Sequence, residues 1–366
     1  MMAEKIKVGI IGCGGIANQK HLPALKTQFD RLEIVGFCDI KPERAEKAAK
    51  EYGTPDAKVY TDYKEMLKDE SIVTIHVLTP NVSHCPLTCD ALMAGKHVIC
   101  EKPMAATPED AQKMLDAQKA SGKILTIGYQ NRCRQDSLTL KKMCERGDLG
   151  DIYYAKAHAV RRRGVPTWGV FPNKALQGGG PLIDIGTHSL DLTLWMMNNY
   201  KPKSVMGASF QKLGRSLQPG EQGNMMGVWD PETYEVEDSA FGFVTMENGA
   251  VIVIEASWAL NTLDVSEALT ELCGTKAGAD MKDGLRINTV VFDKMTTIKP
   301  ECRTPKGVDF FAGMSALRPE VYECKRFYDA VEGKGEPVVK PEEAFVVTQI
   351  LDAIYKSAQT GKLIEF

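Results

Sequence analysis

The strongest constraint on the fold is a glycine-rich turn near the N-terminus. Strand-forming residues run from Lys5 to Gly12, the letters GCGGIA occupy positions 12 to 17, and a helical pattern continues to about Gln28. This is the pattern G-x-G-x-x-A between a strand and a helix. Gly12 permits the tight turn, Gly14 lets a phosphate approach the backbone, and the helix N-terminus offers unpaired N–H groups to an anion. The spacing predicts that the turn borders a bound dinucleotide through Gly12, Gly14, Gly15 and Ile16.

An acidic residue stands where a dinucleotide-binding unit needs one. The second apolar run, Glu33 to Cys38, ends at Asp39, at about the distance from the turn at which a carboxylate accepts hydrogen bonds from an adenosine ribose. A negative charge there repels a 2′-phosphate, so the sequence favours NAD over NADP, although Lys41 is close enough to soften that preference. The alternative is a glycine turn in an α/β protein that binds no nucleotide. The order of strand, turn, helix, strand and acid argues against it.

The first third of the chain alternates strands with helices. Predicted strands cover 5–12, 33–38, 58–60, 71–78, 97–100 and 124–128, and predicted helices cover 42–52, 83–94 and 107–122. Pro42 opens one helix at its first turn, Thr107 caps another, and Gly53 and Gly122 end them. Because each crossover helix must cover one face of the sheet, this order predicts a doubly wound parallel sheet of the Rossmann type.

The pattern changes near residues 147–150, after a predicted linker helix at 136–146. Strand-like runs at 152–160, 204–211, 239–247, 250–259 and 268–274 now outnumber the helices, which are predicted at 181–197, 318–331 and 341–359. Runs of strands with few crossovers indicate a mostly antiparallel open sheet in a C-terminal α+β domain. We therefore predict an α/β protein with a dinucleotide-binding domain at 1–128 and a substrate and oligomerisation domain at 129–366, whose C-terminal helix is able to pack back on the first. Residues 213–236 lack periodicity, which predicts a long surface loop.

Composition excludes several classes of partner. Lys+Arg 45 against Asp+Glu 48 gives a net charge of −3, which lacks the basic field that nucleic acid or an anionic membrane requires. No apolar run approaches the roughly 18 residues of a membrane span, and the N-terminus has no export signal. We expect a cytoplasmic protein whose cysteines are reduced thiols. Cys85 and Cys89 near His84 lack the spacing of a metal knuckle, so we assign no metal.

Polar residues follow the predicted strands at the edge where open α/β sheets bind ligands. Thr79, Asn81 and His84 follow the fourth strand, and Glu101 and Lys102 follow the fifth. Turn chemistry and helix capping explain Asn81 or His84 taken singly, and a solvated loop explains Lys102. The neighbouring Pro103, however, stiffens the Lys102 backbone where a nicotinamide would lie.

A second candidate cluster lies on the helix predicted at 181–197. Asp184 and His188 are four residues apart, so they share one helix face, and a carboxylate one turn from an imidazole can fix its tautomer and raise its basicity. An isolated pair of this kind is usually a surface pair. The triple glycine before the helix and its apolar residues indicate instead a buried helix, where such a pair is costly unless it is used.

Together these motifs resemble the Gfo/Idh/MocA family of NAD(P)-dependent sugar and cyclitol oxidoreductases. The resemblance rests on GIIGCGGIA, Asp39, TPNVSH, EKP, the segment 129–132 and GGGPLIDIGTH, and it covers essentially the whole chain. It implies that the dinucleotide is bordered by Gly12, Gly14, Asp39, Thr79, Asn81, His84, Glu101 and Lys102. Lys102, Asp184 and His188 would surround the reacting carbinol. Many relatives have Trp-Arg before the triple glycine, whereas Trp168 is followed here by Gly169, so the resemblance leaves the substrate contacts to Trp168, Arg132 and Arg162 or Arg163.

The resemblance implies hydride transfer between a ring carbinol of a sugar, glycoside or inositol and nicotinamide, with glycoside oxidation at C3 as one branch. His188 would take the hydroxyl proton, Asp184 would orient His188, and Lys102 would stabilise the developing alkoxide. Two alternatives stay open: NAD-assisted glycoside cleavage by oxidation and elimination, and a non-catalytic nucleotide-binding regulator. We also expect a homo-oligomer formed through the C-terminal sheet, because pairing would cover its exposed face.

Overall fold

The computed structural model describes residues 4–216, 230–302 and 318–366. The chain divides into two compact units, the first formed by Met1–Cys133 with Leu317–Ala344 and the second by Arg134–Ala316 with Phe345–Phe366. Within the described ranges, no helix is both long and apolar enough to cross a membrane.

The strands and helices are numbered separately in chain order. The strands are β1 (Ile6–Ile11), β2 (Leu32–Cys38), β3 (Lys58–Tyr60), β4 (Thr74–Val77), β5 (His97–Glu101), β6 (Leu125–Gly128), β7 (Ile152–Val160), β8 (Pro202–Phe210), β9 (Ser239–Met246), β10 (Val251–Ser257), β11 (Ser266–Gly274), β12 (Gly278–Asp280), β13 (Arg286–Val291), β14 (Lys294–Ile298) and β15 (Ile364–Glu365). The α-helices are α1 (Leu22–Lys26), α2 (Pro42–Tyr52), α3 (Tyr63–Leu67), α4 (His84–Met93), α5 (Pro108–Ser121), α6 (Gln135–Glu145), α7 (Lys174–Gln177), α8 (Thr187–Met197), α9 (Pro319–Val331) and α10 (Pro341–Thr360). Single turns of π-helix cover Ala17–His21 and Leu182–Gly186, immediately before α1 and α8.

The first unit is built on a parallel sheet in the order β3-β2-β1-β4-β5-β6. The predicted doubly wound Rossmann sheet is thereby confirmed. The strand order reverses between β1 and β4, and open α/β sheets bind ligands at such a switch point, beyond the carboxyl ends of the strands. The glycine-rich turn leaves β1 at that place.

Local chemistry explains the helices around this sheet. Pro42 opens α2 at its first position, and the side chain of Thr107 caps α5 by accepting a hydrogen bond from the Asp110 N–H at 3.2 Å. Gly122 ends α5 in the left-handed conformation, with φ +64°. The strand predicted at 71–78 is shorter than expected, because the Asp69 carboxylate accepts hydrogen bonds from both the N–H and the hydroxyl of Ser71 and so forms a turn there.

The second unit is built on a sheet in the order β14-β13-β12-β11-β7-β10-β9-β8-β15. Strands β7 and β10 pair in parallel, and every other neighbouring pair is antiparallel, so the predicted mostly antiparallel sheet is confirmed. The sequence did not predict β12, β13, β14 or β15. These strands are short or largely exposed and carry little apolar periodicity. In the loop predicted at 213–236, positions 217–229 lie outside the described residues.

One face of this second sheet is covered by the segment that carries the predicted Asp-His pair. The helix predicted at 181–197 is a π-turn followed by α8, and α8 packs against β7 and β11. Small buried residues on β7, namely Ala155, Ala157 and Ala159, leave room for a helix at this face. Strands β7 and β11 therefore support the helix.

Candidate active site

The glycine-rich turn fits an anionic ligand. Gly12 has φ +94°, and a Cβ atom on it would lie 2.5 Å from the carbonyl oxygen of Leu78, so only glycine is accommodated. A Cβ on Gly15 would meet nothing within 4 Å, and one on Gly14 would meet only the Arg44 guanidinium, at 4.0 Å. The backbone at 14 and 15 thus faces open space, where a phosphate group can approach it. The sequence reasoning did not consider Arg44.

Asp39 is bonded to the glycine-rich turn itself. Its Oδ2 accepts a hydrogen bond from the Cys13 N–H at 2.8 Å, its Oδ1 accepts one from the Lys41 N–H at 2.9 Å, and the residue is 8% exposed. The carboxylate therefore fixes the path of the turn. This function was not predicted, and the expected contact with a ribose stays a prediction.

A buried ion cluster lies behind the turn. The π-turn at Ala17–His21 directs two consecutive side chains inward, so that Lys20 Nζ and His21 Nε2 both contact Glu101 Oε1, at 2.6 and 2.8 Å. Lys20 Nζ also contacts Glu323 Oε2 of α9 at 3.0 Å. Burial alone would raise the pKa of Glu101, but the charge of Lys20 and the hydrogen bond from His21 hold it well below its ordinary value. Glu101, predicted to border the dinucleotide, is 5% exposed and is an internal anchor.

A chain of hydrogen bonds ends on the same carboxylate. Burial lowers the pKa of both His21 and His76, which favours the neutral form of both rings. His21 Nε2 then donates to Glu101, and its Nδ1 must accept from His76 Nδ1 at 3.0 Å. His76 Nε2 in turn accepts from the Tyr328 hydroxyl at 2.8 Å. Each hydrogen bond in this series is donated in the direction of Glu101. The series therefore stabilises the ionised form of the Glu101 carboxylate.

His84 connects the two loops that carry the other predicted residues. Its Nδ1 lies 2.8 Å from the Pro103 carbonyl oxygen and its Nε2 lies 2.9 Å from that of Thr79, and the ring has no exposed surface. His84 therefore bonds backbone groups, and its predicted contact with a dinucleotide has no support in this placement. Asn81 begins a turn beside it and is 9% exposed. Lys102 is half-buried, while the residues on either side of it, Glu101 and Pro103, are buried, which makes Lys102 the accessible side chain of this loop.

In the second unit, Asp184 and His188 are the two partly exposed residues of the otherwise buried helical stretch 181–194. Between Pro181 and Leu194, every residue is buried except Asp184 and His188. Asp191, which continues the predicted face, is 1% exposed. An imidazole and a carboxylate that alone reach the surface of such a helix are placed to act on a ligand, because polar groups with no such use are rarely kept at a buried face.

A half-buried carboxylate holds the start of this helix. Glu237 accepts hydrogen bonds from the Gly180 N–H at 2.9 Å, the Leu182 N–H at 3.3 Å and the Tyr355 hydroxyl at 2.7 Å. A Cβ on Gly179 would lie 2.1 Å from that hydroxyl, which explains one glycine of the triple-glycine segment. Burial raises the pKa of Glu237, although all three donors act against this.

Of the residues predicted to contact the substrate, one is buried and three are at least partly exposed. The predicted substrate contact of Arg132 has no support in this placement: the residue has no exposed surface, and its guanidinium bonds Glu343 in the interior of the first unit. Arg162 is exposed, and Arg163 donates to Asn261 Oδ1 at 2.6 Å. Trp168 is 46% exposed and packs edge-on against Phe171, with ring centroids 5.4 Å apart.

The sequence reasoning missed a further arginine beside the predicted ones. Burial lowers the pKa of Arg161, but hydrogen bonds and charge from Glu267, and then the charge of Asp184, outweigh this and raise it. Arg161 therefore lies in the field of Asp184. Its position directly after a strand that packs under the helix was a signal that could have identified it.

Two thiols come close together without forming a metal site. Cys85 Sγ and Cys89 Sγ lie 4.0 Å apart on α4, and burial raises the pKa of both. No group of three or more His, Cys, Asp or Glu side chains in the described residues is arranged to hold a metal ion.

Known proteins resemble this chain along its whole length. It matches two profiles of one oxidoreductase family, the NAD-binding Rossmann fold over residues 6–129 and the C-terminal alpha/beta domain over residues 141–366. It is 37% identical over 365 residues to the D-glucoside 3-dehydrogenase of Escherichia coli K12, covering 100% of this chain and 99% of that protein. It is 30% identical over 202 residues to the inositol 2-dehydrogenase of Salmonella typhimurium LT2, covering 55% of this chain and 57% of that protein. The crystal structure of an oxidoreductase domain protein from Kribbella flavida, 21% identical, superposes with a TM-score of 0.83 over 99% of both chains, which is a likeness of fold.

Proposed function

This chain belongs to the Gfo/Idh/MocA family of oxidoreductases, and from that premise we propose that it oxidises a D-glucoside at C3 with NAD as the hydride acceptor. The observation that carries the proposal is its 37% identity to a D-glucoside 3-dehydrogenase along essentially the whole of both chains. A relative that aligns over both units shares the substrate unit as well as the nucleotide-binding one. The inositol 2-dehydrogenase aligns with only 55% of this chain, so a glucoside is better supported than an inositol.

We assign the chemistry to Lys102, Asp184 and His188. Each is half-buried on a segment whose neighbouring residues are buried. His188 takes the proton of the substrate hydroxyl, because an imidazole titrates near neutral pH, and Asp184 orients the ring. The ammonium of Lys102 stabilises the negative charge that develops on the oxygen. A bound nicotinamide would supply the acceptor for the hydride that leaves the carbon bearing this hydroxyl.

We propose that NAD is preferred over NADP because of Asp39. Its carboxylate is bonded to the Cys13 amide in the turn, where a fixed negative charge would repel a 2′-phosphate. Arg44, near Gly14, acts in the opposite direction and makes the preference partial. An Asp39→Asn variant should favour NADP by about tenfold more than the parent does, which corresponds to about 1.4 kcal/mol. An unchanged ratio of kcat/KM for the two cofactors would contradict this assignment.

On the substrate side, we propose that Trp168 and the arginines that follow β7 contact the sugar. The exposed ring of Trp168 offers an apolar surface against which a pyranose can pack. Arg161, Arg162 and Arg163 supply hydrogen-bond donors for hydroxyl groups. Trp168→Ala should raise KM for the glucoside more than it lowers kcat, and an unchanged KM would remove Trp168 from the proposal.

The direct test is a turnover assay with D-glucosides, free sugars and inositols in the presence of NAD, following the absorbance of reduced nicotinamide and identifying products by mass. Lys102→Met and His188→Asn should each lower kcat by about a hundredfold while NAD binding persists. Lys113→Met, on the exposed face of α5, and His158→Asn, where the side chain pairs with Glu255, are the matched controls. Parent-like turnover in Lys102→Met and His188→Asn would refute the catalytic assignment.

The product distinguishes the remaining alternatives. A keto-glucoside formed with one equivalent of NADH supports the proposal. An unoxidised sugar released from the glucoside without net NADH would identify cleavage by oxidation and elimination. Binding of NAD without turnover of any sugar would point to a nucleotide-binding regulator.

We also propose that the protein forms a homo-oligomer through the second sheet and works in the cytoplasm. Met206, Phe210 and Phe243 are 44%, 42% and 50% exposed on neighbouring strands β8 and β9, so an apolar patch lies on that sheet. Phe243→Glu should shift the mass measured by light scattering toward the monomer, and an unchanged mass would exclude this patch as the interface. Cell fractionation tests the location, and recovery from an extracytoplasmic fraction would contradict it.

A further inference from the structure

Asp184 receives a hydrogen bond from a buried tryptophan. The indole Nε1 of Trp258 lies 3.1 Å from Asp184 Oδ2, and Trp258 has no exposed surface. A buried indole N–H needs an acceptor, and a carboxylate is a strong one. The bond joins the accessible carboxylate of the helix to a side chain that cannot itself reach a substrate.

The tryptophan is held by the sheet. It directly follows β10, and its backbone N–H donates to the Asp238 carbonyl at 3.0 Å. Its ring packs edge-on against Phe171 at 6.4 Å between centroids, with 80° between the planes. Trp258 therefore has few alternative positions, and the oxygen of Asp184 that it bonds is fixed relative to the sheet.

A cation lies beside the same carboxylate. The Arg161 N–H donates to the Ser257 carbonyl at 2.8 Å, so Arg161 and Trp258 extend two paired strands from adjacent positions. Glu267 holds the guanidinium, with Arg161 Nε 2.7 Å from Glu267 Oε2. The indole N–H and the charge of Arg161 both interact favourably with the Asp184 carboxylate.

Other charged groups near the helix lie at its ends, within it and on the neighbouring strands. Glu237 bonds the first amides of the helical segment, and Lys141 of α6 bonds the Trp195 carbonyl near its C-terminal end. Asp191 is buried on the helix itself. Arg161 lies directly after β7, and Glu267, which bonds it, lies on β11.

We infer that Trp258 is a positioning residue for the reaction: its indole N–H fixes Asp184 so that the carboxylate orients His188 and sets its basicity. The inference rests on the proposed function, because it needs Asp184 and His188 to be catalytic. Without the N–H, Asp184 loses one of its fixed bonds and concentrates more negative charge toward the imidazole. His188 then holds its proton more tightly, and the acid limb of the kcat/KM profile moves to higher pH.

Trp258→Phe tests this, because it keeps an aromatic ring and removes the donor. We expect kcat to fall by about tenfold, as for the loss of one charge-assisted hydrogen bond, and the acid limb to move to higher pH. Trp195→Phe, the same change at a tryptophan on the helix that carries His188, is the matched control and should leave the profile at its parent position. A core-filling function alone would lower stability without moving the pH profile.

A second variant covers the case in which Trp258→Phe does not fold. Benzothienylalanine at position 258 replaces the indole N–H by sulfur and keeps the ring system, so it should reproduce the same shift. Asp184→Asn separates the two levels of the argument. Parent-like turnover in Asp184→Asn would refute the proposed catalytic role of Asp184, whereas impaired Asp184→Asn beside an unshifted Trp258→Phe or benzothienylalanine profile would overturn only the positioning of Asp184 by Trp258.

Discussion

Each unit contains a glutamate that anchors a segment with a proposed catalytic residue. A cation bonds one of these glutamates, whereas neutral donors bond the other. Glu101, which precedes Lys102, is bonded by the cation of Lys20 and by His21, and its pKa is held well below the ordinary value. Glu237, at the start of the helix with Asp184, is bonded by two amides and the Tyr355 hydroxyl, and burial raises its pKa. Both carboxylates accept hydrogen bonds, but only Glu101 has a cation bonded to it. The charge of that cation therefore decides the direction of the pKa shift.

This difference gives the two anchors opposite dependence on pH. The depressed pKa of Glu101 contributes stability that is present above the carboxyl's unfolded pKa and is lost as the pH falls through its folded value. The raised pKa of Glu237 contributes stability that is fully present below the unfolded pKa and is lost as the pH rises through its folded value. The Glu101 anchor is therefore firmer on the alkaline side and the Glu237 anchor on the acid side.

The largest expected effect comes from removing the charge compensation. Lys20→Met leaves Glu101 and Glu323 as buried carboxylates without the cation between them, which should cost about 3–5 kcal/mol in the free energy of unfolding. Denaturant titration at neutral pH, with hydrogen exchange in β5, measures this. Lys96→Met is the matched control, since Lys96 is also buried but its Nζ bonds the Asp69 carbonyl. A loss no larger than that of Lys96→Met would mean that the cation does not stabilise this anchor.

A smaller effect comes from removing a neutral donor. Tyr355→Phe takes one hydrogen bond from Glu237 and should cost about 2 kcal/mol, because a bond to an ionised group is stronger than one between neutral groups. Tyr328→Phe removes the hydroxyl that donates to the neutral His76 and should cost about 1 kcal/mol. Thermal unfolding of the two variants side by side measures the difference. Equal losses would show that Glu237 does not carry a full charge in the folded protein.

The smallest effect concerns the second carboxylate on Lys20. Burial raises the pKa of Glu323 to about 7, even though Lys20 lowers it. The corresponding stability is fully present below the unfolded pKa and is lost as the pH rises through about 7. In Glu323→Gln this loss is absent, so the variant should gain about 1 kcal/mol relative to the parent between pH 6 and pH 8. Parallel stability curves for the two proteins over that interval would contradict the titration of Glu323.

The sequence predicted the features that depend on local pattern. Alternating strands and helices with Pro42, Thr107 and Gly122 at helix ends specified the parallel sheet, and the residue spacing identified Asp184 and His188. The ion cluster of Lys20, Glu101 and Glu323 could not be found in this way. Its members come from the first helical turn, a strand end and a late helix, and each reads locally as an ordinary polar residue.

The burial of Arg132 and the backbone bonds of Asp39 were missed for the same reason. Arg132 was assigned to the substrate because it lies within a recognised motif, but Glu343, far away in the chain, makes its burial possible. Asp39 was assigned to a ribose, and its bonds to the Cys13 and Lys41 amides were not predicted. Sequence pattern indicates which side chains are polar, whereas the partner of each depends on the folded path of the backbone.

The transfer of a labelled hydrogen from C3 of the substrate to NAD tests whether this protein oxidises a D-glucoside at that carbon. A D-glucoside carrying deuterium at C3 is incubated with the protein and NAD, and the reduced cofactor is analysed by mass spectrometry. The account predicts one deuterium in each NADH formed, together with the 3-keto glucoside. Unlabelled NADH, or no reduction of NAD while the protein is folded and binds the cofactor, would contradict it.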